Sequence, residues 1–594
     1  MHRRRRDGAA EVGYAEDAVG PARTPPAEAR SLIQDGAHRP DADPSALAAL
    51  HSLRRSYGSV ARLASAASRR PGRRTPSWVR LLAGRTLGLT FWDGVAFVGF
   101  LAAVIGISLY ASRKEDTSED YFLAGRSLTW WLIGFSLIAS NISTEHFIGM
   151  AGSGFGVAGL AIASYEWIAA ISLVVVAFWL LPLFLRLGIF TMPEFLEHRY
   201  GNPARTIMAV YLMAAYVGVA IAGVLYSGAL GLQTIFGLDM TLGIWLIGIL
   251  AGAYTVYGGL KAVVWSDLLQ GGALLIGGLG VTAIGLSRVG GIGAFLDTNA
   301  DKLHMVLPAD HPELPWTVLL VGIWIPNFFY WGFNQFITQR TLGARSLAAG
   351  QRGIVFAAAL KLLIPFIVVF PGIIAFQLYG SSLEDGDQAY PMLIRDLVPG
   401  GLRGVLFAAL FGAVMSSLDS MLNSASTLFT MDVYKRHWRP DADPHRIVKV
   451  GRMATAAFVV LGCLLAPFPG RFEGVYAYMQ LVWGFISPPI TAVFVFGLIF
   501  RRAPLSAAVA GLLIGPAAYG LLNWQLPQVA FLNHMAITFG LVLAVMAGFT
   551  WARPLPAPVR FATASGIDLT PSRSARVGGV LVVIATVLLY VVFW

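Results

Sequence analysis

Glu166 and Lys361 are ionisable side chains set inside long apolar runs, while Ala413, Ser416 and Ser417 fall at i, i+3 and i+4 and so share one helical face. A charge near the centre of a membrane helix costs ~2.5–3.5 kcal/mol on insertion scales, so each of the two must face a cavity or a partner. The plain alternative is a structural ion pair, or snorkelling at a helix end. Serine hydroxyls could be oxygen ligands for a cation, yet helical serines often only bond back to a carbonyl of their own helix. The stretch Ala139-Ser140-Asn141-Ile142-Ser143-Thr144-Glu145-His146, a polar insertion in an apolar run, shifts that balance. A helix interrupted at Asn141–Ser143 frees carbonyls that a regular helix keeps for itself, and freed carbonyls with half-helix ends suit Na+. A second irregularity, Gly322-Ile323-Trp324-Ile325-Pro326-Asn327, carries a proline that removes an amide donor and destabilises the helix before it.

Nothing in the chain supports chemistry on a covalent bond. Gly277-Gly278-Leu279-Gly280 follows no strand, and no phosphate-cradling or metal-ligand spacing occurs. Cys463 is the single cysteine, which excludes a disulfide framework and a cysteine-based zinc or redox centre. An enzyme, an ATP-driven pump and an organic cofactor are therefore not expected.

The elements that must position these residues follow from composition. The 594 residues are 56% hydrophobic and only 13% charged, about half the ~25% charged share of soluble domains. That excludes a cytosolic enzyme, and the distribution of the +11 net charge argues against a nucleic-acid partner. From Leu89 onward fourteen apolar runs recur, at about 89–111, 128–151, 160–185, 204–233, 239–257, 265–287, 315–339, 352–379, 402–434, 447–467, 474–500, 504–523, 530–551 and 576–594. Each is long enough to cross ~30 Å of hydrocarbon, and continuous runs read as helices rather than barrel strands. The expectation is an all-α polytopic membrane protein of about fourteen transmembrane helices. The two irregular runs are the second and the seventh, five apart, the pattern of an inverted-repeat transporter with its site at the midplane.

Residues 1–86 differ in kind, with 16 arginines and no lysine. They read as a disordered tail or an over-extended gene start, with residues 87–594 as the transmembrane domain. Odd-numbered connections carry 22 basic residues against 5 in even-numbered ones. Positive-inside then places the odd set in the cytoplasm and both termini outside.

The blocks NISTEHFIGMAGSGFG, ASYEW, GIFTMPEFLEHRYG, YTVYGGLKAVVWSD, NFFYWGFNQFITQRTLGA and MSSLDSMLNSASTLFTMDVYK resemble the solute:sodium symporter family, nearest to its sodium/glucose (sodium/galactose) cotransporters. The resemblance runs from about Phe91 to at least Phe500. It implies a LeuT-like five-plus-five fold, with inverted repeats at about 128–287 and 315–500. It further implies a sodium site made by the carbonyls of Ala139, Ile142 and Ala413 and the hydroxyls of Ser416 and Ser417, with Na+ as the coupling ion. The implied sugar site comprises Glu166 as strong acceptor, Lys361 as strong donor, the amides of Asn327 and Gln480, His146, and Tyr330 as an aromatic inner gate. Ala169 departs from bacterial relatives that carry a serine contact there. Asp267 and Asp419 are further acids in or near the membrane; a second ion site or cytoplasmic-end salt bridges are both open for them, and neither is placed in the core site.

The resulting expectation is sodium-coupled sugar symport by alternating access in the cell membrane, with sugar, sodium ion and lipid as partners. Rival solutes are myo-inositol, another polyol or an organic acid. A transporter-like sensor is the rival of another class; it normally needs an output domain, and the chain stops at Trp594 within its last run.

Overall fold

The computed structural model describes residues 91–112, 117–144, 146–236, 238–383, 386–471, 475–563 and 566–594. The readings made for residues 1–86 lie outside them. Along the chain the elements that matter here are α1 (Phe91–Ala111), α2 (Trp130–Asn141), α3 (Ala151–Phe155), α4 (Ser164–Val175), α5 (Met192–Arg199) and α6 (Asn202–Ala215). They continue with α7 (Met240–Arg288), α8 (Trp324–Phe328), α9 (Gln335–Leu342), α10 (Leu347–Tyr379), α11 (Leu402–Thr427) and α12 (Pro444–Leu465). The last are α13 (Val475–Ile499), α14 (Leu505–Gln525), α15 (Phe531–Ala552) and α16 (Arg573–Val592).

Among the described residues, 12 helices are long and apolar enough to cross a membrane. One of them, α7, has 49 residues, or ~74 Å at ~1.5 Å per residue, more than twice the hydrocarbon thickness. It turns at Gly259, whose φ of 50° and ψ of −149° belong to backbone that L residues avoid, and so makes two crossings. The second expected run is split between α2 and α3 and is the fourteenth crossing. Gly259→Ala is expected to cost ~1–3 kcal/mol of strain. Its check is a lower yield of folded protein and a lower melting temperature in detergent, with no change in substrate preference.

Helix α7 packs on α1, α2, α10 and α11, and α2 packs on α10 and α11. Small residues allow the closest approach: a Cβ at Gly271 on α7 would lie 2.9 Å from the Ala139 Cβ on α2. Helix ends are closed by distant side chains, because an orphan amide or carbonyl in lipid has no water to turn to. Asp93 of α1 accepts from the Gly401 and Gly404 amides at 2.9 and 2.7 Å, closing the start of α11. Arg199 at the end of α5 donates to the Gly497, Phe500 and Ala503 carbonyls at 2.7, 2.7 and 3.1 Å, closing the end of α13.

That observation corrects part of the loop reading. Arg199, Arg205 and Arg340 were counted among cytoplasmic loop cations, and all three are buried. Arg205 on α6 donates to Asp432 and Glu197, each at 2.6 Å. A guanidinium can be buried when carbonyls and carboxylates meet its five donors, which a count of loop charges does not register.

Candidate functional site

Helix α2 ends where the polar insertion predicts. The Ile142 amide makes a last helical bond to the Ile138 carbonyl at 2.9 Å, and Ile142 then turns the chain away at ψ 108°. The Ser143 amide donates to His146 Nδ1 at 3.4 Å instead of to the preceding turn. The seventh run is also irregular before Pro326: one tight turn at Trp316–Leu319 leads to the five-residue α8. A second break was not foreseen. Asn334 is extended, with φ −82° and ψ 123°, and separates the wide turn Phe329–Phe333 from α9. Both irregular runs are thus two half-helices.

The serine face of α11 meets the broken end of α2. Ser417 Oγ donates to the Ser140 carbonyl at 3.4 Å, next in chain to Ala139. Ala139, Ile142 and Ala413 are all buried alongside. Ser416 is held otherwise: its hydroxyl donates to Asp267 Oδ1 from α7. Asp267 also accepts from Ser136 at 2.5 Å and Ser140 at 3.2 Å, and lies 3.5 Å from Arg340 of α9. Arg340 in turn donates to Ser136 at 2.8 Å and to Ser420. Asp419 accepts from Tyr254 and, at 3.0 Å, from Thr255. Of the two acids left out of the core site, Asp267 touches it through Ser416, while Asp419 is held by Tyr254 and Thr255.

The six residues assigned to solute share one cavity of about 140 Å³, lined by His146, Glu166, Asn327, Tyr330, Lys361 and Gln480. Ser417 lines it too, so the serine face and the cavity are neighbours. Lys361 of α10 is 1% exposed and Glu166 of α4 3%. The Lys361 ammonium donates to Glu166 Oε2 and to Asn141 Oδ1, and stands 5.0 Å from the centre of the Trp331 ring. The other oxygen of Glu166 faces His146 Nε2 at 3.5 Å. Asn141 donates to the Tyr330 hydroxyl at 3.1 Å, so one amide joins the cation to the expected gate. Asn327 spends one donor on the Ile323 carbonyl of its own turn at 2.9 Å. Ala413, Ser416, Ala139 and Ile142 do not line the cavity.

A family model described as "Sodium:solute symporter family" matches residues 121–515, a stretch that contains every residue of both clusters. The chain belongs to that family. A sodium/glucose cotransporter of Vibrio parahaemolyticus is 40% identical over 543 residues, covering 85% of this chain and 99% of that protein. The human sodium/myo-inositol cotransporter 2 is 34% identical over 469 residues, covering 72% and 69%. Among solved structures, a Na+-coupled sialic acid symporter in its substrate-bound outward-open state superposes with a TM-score of 0.72 at 24% identity, covering 80% of this chain and 99% of that one. The fold is thus that of LeuT-like sodium symporters, and the protein is a transporter rather than an enzyme.

As a sodium:solute symporter it holds polar contacts that residue patterns alone do not reveal. The Asn141 side chain links Lys361 to Tyr330, and its only signal was its place at the helix break. Asp267 and Arg340 lie 73 positions apart in sequence, and nothing local pairs them. For Asp267 the available signal was an acid inside an apolar run, the same signal that singled out Glu166.

Proposed function

We propose that this symporter carries a neutral sugar of hexose size into the cell, driven by sodium bound beside the sugar cavity. The observation that carries the reading is the make-up of the cavity. Among the described residues its one lysine, Lys361, and its one carboxylate, Glu166, are paired with each other, so this lining offers strong donors and acceptors without net charge. Sugar hydroxyls both donate and accept, and that mixture matches them. Lys361 uses two of its three N–H donors on Glu166 and Asn141, which leaves one for a solute. The cavity of about 140 Å³ has room for on the order of ten waters, the scale of one monosaccharide. An organic acid fits less well, because its carboxylate would need a cation that Glu166 already neutralises. Myo-inositol presents a similar ring of hydroxyls and is the second reading, supported by the 34% identity to a protein named for it.

The proposed sodium ligands are the carbonyls of Ala139, Ile142 and Ala413 and the hydroxyls of Ser416 and Ser417. Sodium there would tie α11 to the break in α2, and the same break carries Asn141 and His146 into the solute cavity. Ion occupancy and solute geometry are therefore coupled through four residues of backbone. The membrane potential contributes ~2.3 kcal/mol per charge per 100 mV, acting inward on the orientation read from loop charge, with both termini outside.

The test is uptake into proteoliposomes with and without an inward sodium gradient, competed by hexoses, myo-inositol and small organic acids. Sodium-dependent uptake blocked by a hexose is the expected result. Uptake indifferent to sodium, or blocked only by acids, overturns the reading. At finer grain, Asn327→Ala and Gln480→Ala should each weaken sugar competition several-fold, as expected from one hydrogen bond of ~0.5–1.5 kcal/mol, with sodium dependence nearly unchanged.

A further inference from the structure

A second cavity, of about 620 Å³, opens between α10 and α16 on the far side of α10 from the solute site. Its two walls run parallel. Arg352 stands with Ser574 at one end, Gly578 faces Val355 in the middle, and Leu362 and Ala585 line the other. From Ser574 to Ala585 the helix rises ~17 Å, close to the ~15 Å depth of one leaflet of hydrocarbon. Below the mouth the lining is apolar apart from the helix backbones. The mouth is cationic. Arg352 is exposed, and its Nε is fixed by the Ser572 hydroxyl at 3.0 Å. Its two terminal nitrogens make no hydrogen bond or ion pair among the described residues. Arg573 and Arg576, also exposed, begin the helix that forms the opposite wall. The acid nearest to Arg573 along the chain, Asp568, accepts from the Thr570 amide at 2.9 Å. This end is the one that loop charge assigns to the cytoplasm.

We infer that the groove between α10 and α16 is a binding site for an anionic glycerophospholipid of the cytoplasmic leaflet, its phosphate held by Arg352 and one acyl chain laid along the groove. An apolar trough one leaflet deep matches the chain, and a planar guanidinium with both terminal nitrogens open matches the phosphate. A partner helix would explain the apolar walls but not the cluster of arginines at their head. Because Ala359 and Leu362 of the groove flank Lys361 on α10, a bound chain would also stiffen the helix that carries the cavity's lysine. The site is independent of which solute the protein carries.

The experiment uses the full chain purified in mild detergent. Native mass spectrometry would compare phosphatidylglycerol, phosphatidylcholine with the same acyl chains, and glycerol phosphate. Phosphatidylglycerol should bind best, and glycerol phosphate should neither bind nor compete. Arg352→Gln should weaken phosphatidylglycerol about fivefold and abolish its advantage over phosphatidylcholine. Ala585→Phe, which fills the deep end without touching charge, should weaken both lipids and leave the lipid-free melting temperature unchanged. Equal binding of the two lipids, competition by glycerol phosphate, or indifference of both variants would overturn the proposal. So would a dimer that Ala585→Phe dissolves, since a second copy would then own the groove.

Discussion

Ser417→Ala is expected to lower the apparent sodium affinity by about 10- to 100-fold, the effect of ~1.5–3 kcal/mol for a polar contact to a charge. The methyl group has no lone pair, and a hard cation in a buried site has no spare oxygen to recruit unless water enters. Sodium-driven accumulation should fall with it. Sugar exchange with sugar on both sides and no sodium should survive in part, because Glu166, Lys361 and the amides remain. The control must be chosen with care. Ser424, about two turns along, donates to Gln339 at 2.7 Å and so carries an interhelical contact of its own. Ser426 donates only to the Asn423 carbonyl of its own helix at 2.9 Å, and Ser426→Ala should change little. Equal sodium dependence in Ser417→Ala and Ser426→Ala would remove Ser417 from the ion site.

Lys361→Met should be the most damaging change in the solute cavity. It leaves the Glu166 carboxylate buried without its cation and Asn141 Oδ1 without its donor. Removing one partner of a buried pair typically destabilises by ~3–5 kcal/mol. Both melting temperature in detergent and uptake should drop. Adding Glu166→Gln removes the stranded charge, so the double variant should recover most of the melting temperature. It should not recover uptake, because the strongest donor and the strongest acceptor are both gone. A double variant that transports normally would make the pair purely structural. A Lys361→Met variant as stable as the parent would show that the two charges do not depend on each other.

The two outcomes separate what the sequence made legible from what it did not. The polar insertion at Asn141–Ser143 announced the broken helix because it interrupts a long, predominantly apolar run, and the break lies there. Glu166 and Lys361 were conspicuous for the same reason, and they meet in one cavity. The break at Asn334 carries no glycine or proline. It is extended because Asn334 bonds to Tyr216 and Gln335 accepts from the Met192 amide at 2.8 Å, partners more than a hundred residues away. Asp267 and Arg340 were each visible, one as an isolated acid and the other as a loop cation, but their pairing is a property of the fold.

Arg199 has a mechanical corollary. Three carbonyls, two at the end of α13 and one in the turn that follows it, converge on a single guanidinium carried by α5, and a lysine has no planar fork with which to reach all three. The C-terminal end of α13 is therefore riveted to α5. Whatever lever action carries Gln480, at the other end of α13, toward or away from the cavity must drag α5 with it or pivot about that rivet. His198, the exposed residue of α5, would then give a crosslinker a hold on the transport cycle without approaching either the ion or the sugar.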